Sequence, residues 1–332
     1  MVKNRIVNIF EICLWKIYKS LYFSNIAIDI LKKLIFIILE NLLESKIKKL
    51  NIDCIFTVFH GYSYLIALKI SNKLNIKLVT FFHDYWIHFD ELRGSHINIA
   101  NQQFLKLISD SNIRFYISEN FKNQCKDSEG TVLLPIPAYC TDRPTDLNPS
   151  NNITYAGSLV YPYKSSLLRL IQSCINHNFN DLHIYGPRDN FSLLDDPITE
   201  MFYKGYLKKP DLARVLWNSR VLLVVIAFDE GMRLRAETSF SSKLLEYLQY
   251  EKPIIIWGPN YSATAQWAIA NNAAIVVDKD DPHYVLDYFK KLTYNEVEFE
   301  QWSLNSKTNK NNFNYHAIQN QFLFKMDALM KD

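Results

Sequence analysis

The stretch SFSSKLLEYLQYEKPIIIWG, Ser239 to Gly258, decides the fold class. It opens with hydroxyl side chains, continues as an amphipathic helical pattern, breaks at a Lys-Pro pair and ends in an apolar strand closed by glycine. A helix that breaks and runs into a buried strand is the repeating unit of a parallel α/β sheet. Ser241 and Ser242 stand where this helix begins.

The same alternation of strand and helix runs through the whole chain. The predicted strands are residues 53–59, 77–82, 113–118 and 131–137 in the first half, and 152–157, 181–186, 202–206, 221–228, 253–258 and 273–278 in the second. Between the halves lies TDRPTDLNPSNN, residues 141–152, whose prolines and turn formers are typical of a linker. Two parallel α/β domains in tandem place ligands at the carboxyl ends of their strands, in a cleft between them.

Amino-acid composition indicates which kinds of ligand and which cellular compartment this protein has. The formal net charge of +3 gives no nucleic-acid signature. The five cysteines are odd in number and scattered, without a CxxC motif, which predicts reduced thiols in a cytosol. Charges interrupt the apolar residues of the N-terminus, so no signal peptide is indicated and a cytoplasmic protein is expected.

Residues 26–50 predict one long amphipathic helix. Its apolar face holds Ala27, Leu31, Leu34, Ile38 and Leu42. Mixed acids and bases on the polar face favour a helix packed on a core, while the apolar content leaves open a peripheral contact with a membrane surface. Glu44 precedes Lys48 at the spacing of a helical ion pair.

The helix after Ser241 carries a second pair of charges. Lys243 lies in its first turn, where the helix dipole disfavours a cation unless an anion is bound. Glu246 lies one turn beyond Ser242 and can accept hydrogen bonds from two hydroxyl groups, such as the two of a ribose. Serine hydroxyls at a helix start can cap the helix and also bind phosphate. Taken alone, this segment favours the alternative of a plain helix cap with a solvated glutamate.

Other strand ends carry small or polar residues as well. YAGSL, in the second half, places Gly157 and Ser158 just after a strand, and Lys164 starts the next helix. In the first half, HGYSY and HDYW follow two strands and place His60 and His83 at their carboxyl ends. These positions are where an open parallel sheet binds its ligands.

The motifs YAGSL, LHIYG, KGY, VLWNSRVLLVV and SFSSKLLEYLQYEKPIIIWG together resemble the nucleotide-sugar-binding domain of GT-B glycosyltransferases of the family 4 type. The resemblance runs from Asn152 to Asp278. It implies an α/β GT-B fold with two Rossmann-like parallel-sheet domains facing a cleft. It also implies an acceptor-side domain over residues 1–147, a donor-binding domain over residues 148–305 and a helix over residues 306–332 that packs back toward the first domain.

The activity implied is that of a retaining glycosyltransferase in surface polysaccharide synthesis. The donor would be a nucleotide-diphosphate sugar, and the acceptor a saccharide or a lipid-linked glycan at the inner face of the plasma membrane. No metal and no resident cofactor is implied. Two alternatives stay open: a non-catalytic scaffold or regulatory subunit with the same fold, and a nucleotide-sugar epimerase.

The resemblance also implies site residues, carried over by position. The implied donor-binding residues are Gly157, Ser158, Arg235, Ser241, Ser242, Lys243 and Glu246. The implied catalytic residues are His83, Lys164 and Glu237, and the implied acceptor-side residues are His60 and Asp84.

Three departures from the family pattern weaken parts of this assignment. The family has an arginine shortly before the lysine that binds the diphosphate, and this arginine is absent here, so Arg233, Arg235 or Lys243 would supply its charge. The family has two glutamates with seven residues between them, but that count from Glu246 leads to Thr238, with Glu237 one place off. The family also opens with a strand and a glycine-rich turn, whereas this chain starts with a helical pattern and has no glycine before Gly61. The first domain is therefore predicted to be shortened, by a truncated reading frame or by a reduced acceptor domain.

Overall fold

A computed structural model describes residues 26–60, 63–85, 95–137, 143–187 and 200–331 of the chain. The chain divides into two compact units. The first holds the described residues up to Leu133 together with those from Phe324 onward, and the second holds Leu134–Leu323. In the first unit Lys77 donates a hydrogen bond from Nζ to the carbonyl of Leu329, which fixes the end of the last helix.

The first unit contains a parallel sheet of four strands in the order β1-β2-β3-β4. The strands are β1 (Cys54–Val58), β2 (Lys77–Phe82), β3 (Ile113–Tyr116) and β4 (Thr131–Val132). The helices are α1 (Ile26–Leu50), α2 (Ser63–Leu74), α3 (Ser95–Asp110) and α4 (Glu119–Gln124). All four strands were predicted, but β3 and β4 end earlier than expected.

Aromatic side chains form the core of the first unit. Phe82 stacks on Tyr116 with ring centroids 4.8 Å apart, and Phe59 contacts Phe104 at 4.7 Å. Tyr85 joins this cluster, 5.4 Å from Phe104, and donates a hydrogen bond to Asn101. Strand-end aromatic residues of this unit therefore fill its core.

Helix α1 has the predicted bounds but not the predicted buried face. Ile38 is 56% exposed and Leu42 is 63% exposed. The helix is instead joined to α2 by ion pairs, with Glu44 2.7 Å from Lys73 as well as 2.8 Å from Lys48. A core-packed apolar face is thus wrong for its last turns, because charge pairing sets the side turned to α2. The side chains of Ala27, Leu31 and Leu34 lie outside the described residues.

The second unit contains a parallel sheet of six strands in the order β10-β9-β8-β5-β6-β7. The strands are β5 (Ile153–Ala156), β6 (Leu182–Tyr185), β7 (Tyr203–Gly205), β8 (Val221–Val225), β9 (Ile254–Trp257) and β10 (Ile275–Val277). This sheet begins with β5 in its middle, and β6 and β7 are added on one side. Strand β8 then pairs with the other side of β5, and β9 and β10 follow outward. This is the doubly wound order, and its switch point lies between β5 and β8.

Within the described residues, eight α-helices connect or follow these strands: α5 (Tyr163–Asn176), α6 (Lys209–Asn218), α7 (Arg233–Thr238), α8 (Ser242–Leu248), α9 (Ala263–Ala270), α10 (His283–Tyr294), α11 (Glu296–Asn312) and α12 (Tyr315–Lys331). All six strands are confirmed, each shorter than predicted by two or three residues. Apolar residues of strands and helices, among them Leu223, Ile255 and Phe289, form one continuous core.

Helix α11 was missed by the sequence analysis. It buries polar residues instead of an apolar stripe: Ser306 donates to the carbonyl of Lys252, and Asn309 donates to that of Asn271. Hydrophobic periodicity cannot detect a helix held in this way. One local signal was present, since Asn295 caps the helix by accepting from the amide of Glu298.

Three further observations concern expectations made from the sequence. Cys54, Cys125 and Cys174 are free thiols, as predicted, while the remaining cysteines lie outside the described residues. Among the helices described, none has the length and apolar composition that crossing a bilayer requires. The predicted shortening of the first domain concerns residues 1–25, which also lie outside the described residues.

Candidate functional site

A cavity of about 270 Å³ lies in the second unit at the carboxyl ends of the central strands. Ala156 and Gly157 line it from the end of β5, Tyr185 and Gly186 from the end of β6, and α8 closes another side. It adjoins the switch point between β5 and β8, the region where open α/β folds bind their ligands. The cavity is therefore the candidate site that topology alone would select.

Helix α8 lines this cavity with Ser242 at its start and with three further side chains from one face. Lys243, Glu246 and Tyr247 follow the i, i+3, i+4 spacing, which places them side by side on a helix surface. The opposite face buries Leu244, Leu245 and Leu248 in the core. The amphipathic pattern of the sequence therefore fixes which residues turn toward the cavity.

Tyr247 fastens α8 to the end of β5. Its hydroxyl donates to the carbonyl of Ala156 at 3.1 Å and accepts from the amide of the same residue at 3.0 Å. Burial raises the pKa of Tyr247, so the hydroxyl stays protonated and keeps both bonds. The position of Lys243 and Glu246 relative to the strand end follows from this clamp.

Two glycines allow the close packing at the strand ends. A Cβ on Gly186 would lie 2.1 Å from the carbonyl oxygen of Gly157, so no larger residue fits there without moving the backbone. A Cβ on Gly157 would lie 2.1 Å from Cε and 2.7 Å from Nζ of Lys243. The lysine therefore reaches over the end of β5 only because residue 157 has no side chain.

The ammonium group of Lys243 lies in a poorly solvated place. Burial lowers the pKa of Lys243, and the Glu246 carboxylate opposes this only in part. The ammonium lies 5.8 Å from the ring centre of Tyr155 and 5.3 Å from that of Tyr163. No described residue forms an ion pair with it, so a bound anion would stabilise its charged form.

The carboxyl group of Glu246 is also poorly solvated, and burial shifts its pKa in the opposite direction. Burial raises the pKa of this carboxyl, while Lys243 and Lys209 pull it back toward its ordinary value. No side chain of the described residues donates a hydrogen bond to it. The carboxylate is thus available to accept hydroxyl groups from a ligand in the cavity.

The two serines at the start of α8 differ. Ser242 is exposed and lines the cavity. Ser241 holds the N-cap position, but its hydroxyl makes no capping bond, so the predicted cap is wrong. Its backbone amide donates instead to Oγ1 of Thr264 at 2.8 Å, which ties the helix start to α9.

The other residues carried over from the family do not line this cavity. Ser158 accepts a hydrogen bond at its carbonyl from Tyr155, and Lys164 lies in the first turn of α5. Arg235 and Glu237 lie on α7. Glu237 accepts a hydrogen bond from Nε of Arg233 at 2.9 Å, so this carboxylate has a cation partner within its own helix.

The sequence analysis missed the apolar half of the cavity. Tyr185, Tyr206, Leu207, Leu212 and Leu216 line it and come from the ends of β6 and β7 and from α6. Tyr185 and Tyr206 lie in the last residues of the predicted strands 181–186 and 202–206, and Leu207 directly follows the second strand. Applying the strand-end rule to the large residues as well as the small ones would have found the first three.

The candidate residues of the first unit lie at one edge of its sheet. Val58 of β1 pairs with Phe81 of β2 in parallel register, so His60 and His83, two residues further along each strand, follow the same edge. Nδ1 of His83 lies 3.1 Å from Oδ2 of Asp84, and the His83 side chain is 49% exposed. His60 is exposed too.

No group of three histidine, cysteine or carboxylate side chains gathers as a metal site would require, within the residues that the structure covers.

Comparisons with known proteins place the fold. No protein-family model matches the sequence, and no curated protein matches it. Many solved structures do resemble it, however. TarM of S. aureus superposes with a TM-score of 0.64 at 14% identity, over 86% of this chain and 57% of its own.

Two more solved structures match over most of their length. A glycosyltransferase from Rickettsia africae has a TM-score of 0.64 at 14% identity, over 88% of this chain and 81% of its own. HepE from Anabaena, solved in complex with UDP-glucose, has a TM-score of 0.64 at 12% identity, over 87% and 82%. The chain therefore has the GT-B fold, built from two Rossmann-like parallel-sheet domains.

Proposed function

We propose that this protein is a retaining glycosyltransferase that moves a sugar from a nucleotide-diphosphate sugar to a saccharide or a lipid-linked glycan. The observation that carries the proposal is the cavity beside the switch point, where Lys243 reaches over the glycine end of β5 and Glu246 lines the wall from the same helix. The fold supports it, since HepE, which shares the fold, was solved with UDP-glucose.

The proposed donor pose follows the chemistry of the cavity walls. The Glu246 carboxylate accepts hydrogen bonds from the two ribose hydroxyls. The diphosphate lies against Gly157, Ser242 and Lys243, where it neutralises the lysine. The base lies toward the tyrosines and leucines at the ends of β6 and β7, whose rings and alkyl groups suit a flat aromatic ligand.

The proposed transfer needs charge stabilisation more than acid or base strength. The bond from the sugar C1 to the diphosphate oxygen breaks, a bond from C1 to the acceptor oxygen forms on the same face, and the proton of the acceptor hydroxyl passes to the departing diphosphate oxygen. Positive charge grows on the sugar ring and negative charge on the diphosphate. Lys243 and Lys164 would stabilise the departing diphosphate electrostatically, with Arg235 as a further cation.

The remaining residues that the family resemblance implies also have proposed roles. His83, held by Asp84, and His60 would donate hydrogen bonds to sugar hydroxyls of the acceptor and transferred sugar. Ser158 and Ser241 would contact the donor, and Glu237 would act near the transferred sugar. The chemistry asks for no resident cofactor, because the donor carries its own leaving group.

A peripheral contact with the cytoplasmic face of the plasma membrane is part of the proposal. Its support is the exposed apolar side of α1, formed by Ile37, Ile38 and Leu42, which suits a lipid surface. Co-sedimentation with anionic vesicles tests it. The double variant Ile38→Glu, Leu42→Glu should lose binding, while Leu105→Glu, on an equally exposed position of α3, should keep it.

The function is tested on the purified full chain in two steps. Thermal shift and calorimetric titration with UDP, GDP, ADP and TDP should identify one nucleotide that raises the melting temperature, because a ligand of the native state must stabilise it. The matching nucleotide sugars are then incubated with saccharide acceptors, and nucleoside diphosphate release is measured together with the anomeric form of the product.

Each outcome separates the candidate functions. Release that depends on acceptor, with the donor configuration kept, supports a retaining transferase. Binding without turnover would favour the scaffold, and a changed sugar without acceptor would favour the epimerase. No binding of any of the four nucleotides would reject the donor site.

A further inference from the structure

A second cavity of about 260 Å³ lies where two strands of the same sheet begin. Trp217, near the end of α6 and just ahead of β8, lines it, and so does Lys252, just ahead of β9. Both strands begin there, whereas the donor cavity lies where β5 and β6 end. Because all the strands are parallel, the second cavity lies at the amino ends of the strands and the donor cavity lies at their carboxyl ends.

Three cations line this cavity: Arg143, Lys252 and Lys307. The carboxylate on its wall, Glu251, is already paired with Lys310 at 2.8 Å. None of the three cations forms an ion pair with a carboxylate of the described chain. Burial lowers the pKa of Lys252, and the charges of Arg143 and Arg220 lower it further. The cavity thus carries an uncompensated positive charge.

Two buried polar atoms of the cavity wall have no hydrogen-bond partner within the described chain. They are Nε1 of Trp217, a side chain only 3% exposed, and Oγ of Ser303. Buried polar groups in native structures are nearly always hydrogen-bonded, to protein, water or a ligand. Both atoms are closed to solvent, so a ligand oxygen reaches the indole N–H only when the side chains of the wall move.

Aromatic rings form the rest of the wall. Trp217 and Tyr250 meet edge to face at 5.4 Å, and Phe299 lies on the other side beneath the guanidinium of Arg220. Such rings suit the flat apolar face of a sugar. The volume falls just below the range of about 300–1,000 Å³ typical of drug-sized ligand sites, so the occupant must be small.

We propose that this cavity is a second ligand site, specific for a small phosphate ester of the size of a sugar phosphate. The phosphate oxygens accept hydrogen bonds from Arg143, Lys252 and Lys307. The indole N–H of Trp217 and the hydroxyl of Ser303 bind a phosphate or sugar oxygen. The site does not depend on the donor cavity or on the transferase activity.

Calorimetry on the full chain tests the site, with glucose 6-phosphate, inorganic phosphate and glucose as probes. Glucose 6-phosphate should bind more tightly than inorganic phosphate, and glucose alone should not bind. Lys252→Met and Lys307→Met should each weaken the sugar phosphate at least tenfold. Trp217→Phe, which keeps the ring and removes the N–H, should weaken it about fivefold.

Two control variants make the result specific. Lys290→Met removes an exposed lysine of α10 in the same unit and should leave the affinity unchanged. Lys243→Met alters the donor cavity and should also leave it unchanged, so failure of one site is distinguishable from failure of the other. Lys307 is exposed, and its variant keeps the core intact.

The proposal is overturned by any of three results. These are no binding of either phosphate probe at millimolar concentration, equal affinity in Lys307→Met and Lys290→Met, or loss of glucose 6-phosphate binding in Lys243→Met.

Discussion

The two units of this protein treat their strand ends differently. In the second unit, α8 lies across the end of β5, and Tyr247 locks it there, so Lys243 and Glu246 are brought into a cavity with Gly157. In the first unit, His83 stays half exposed with Asp84 as its hydrogen-bond partner. A strand end predicts the edge on which functional residues lie. A packed helix beside it is what turns that edge into a site.

Removing the charge of Lys243 in the donor cavity should have the largest effect on ligand binding. Lys243→Met should weaken nucleoside diphosphate binding about 10- to 100-fold, since a hydrogen bond to a charged group contributes about 1.5–3 kcal/mol. Titration calorimetry measures the affinity, with Lys290→Met as the matched control. Equal affinities in the two variants would contradict the comparison, because the lysine would then contribute nothing to the site.

Breaking the clamp tests why the second unit has a formed cavity. Tyr247→Phe leaves an amide and a carbonyl of Ala156 without their partner and should lower the free energy of unfolding by about 2 kcal/mol. Denaturation followed by circular dichroism measures this change. The control is Tyr294→Phe, at an exposed position, which should be neutral. If both variants are equally stable, the clamp does not hold α8.

Replacing the carboxylate sharpens the assignment of the ribose. Glu246→Gln should weaken nucleoside diphosphate binding about fivefold, the effect of a single modest hydrogen bond of about 1 kcal/mol. The 2′-deoxy nucleotide should bind the native protein more weakly by a similar factor. The two losses should not add, because both remove the same contact. Full additivity would place Glu246 away from the ribose.

The first unit should show the smallest effect on donor binding. His83→Ala should change nucleoside diphosphate affinity less than twofold and leave the melting temperature nearly unchanged, because the side chain is half exposed. The rate of sugar transfer should fall nonetheless if His83 contacts the reacting sugar. A large drop in melting temperature, or an unchanged transfer rate, would show that His83 only holds its loop.

Predictions from local pattern succeeded where one residue type repeats along an element. The bounds of α1 and β2 followed from helical spacing and from an unbroken apolar run. They failed where polar groups hold the structure, as in α11, which is docked through Ser306 and Asn309. Hydrogen bonds to distant carbonyls leave no periodic signal in a sequence, so no window of residues reveals them.

The sequence by itself determined the two parallel α/β units, the strands of the second sheet, and the helix that carries Lys243 and Glu246. Apolar periodicity and glycine at strand ends encode these features locally. The tertiary structure alone decided that Ser241 does not cap its helix, that α1 turns charges toward α2 and leaves Ile38 exposed, and that a basic cavity surrounds Trp217. These depend on which distant side chains meet, and such contacts depend on packing rather than on neighbours in the chain.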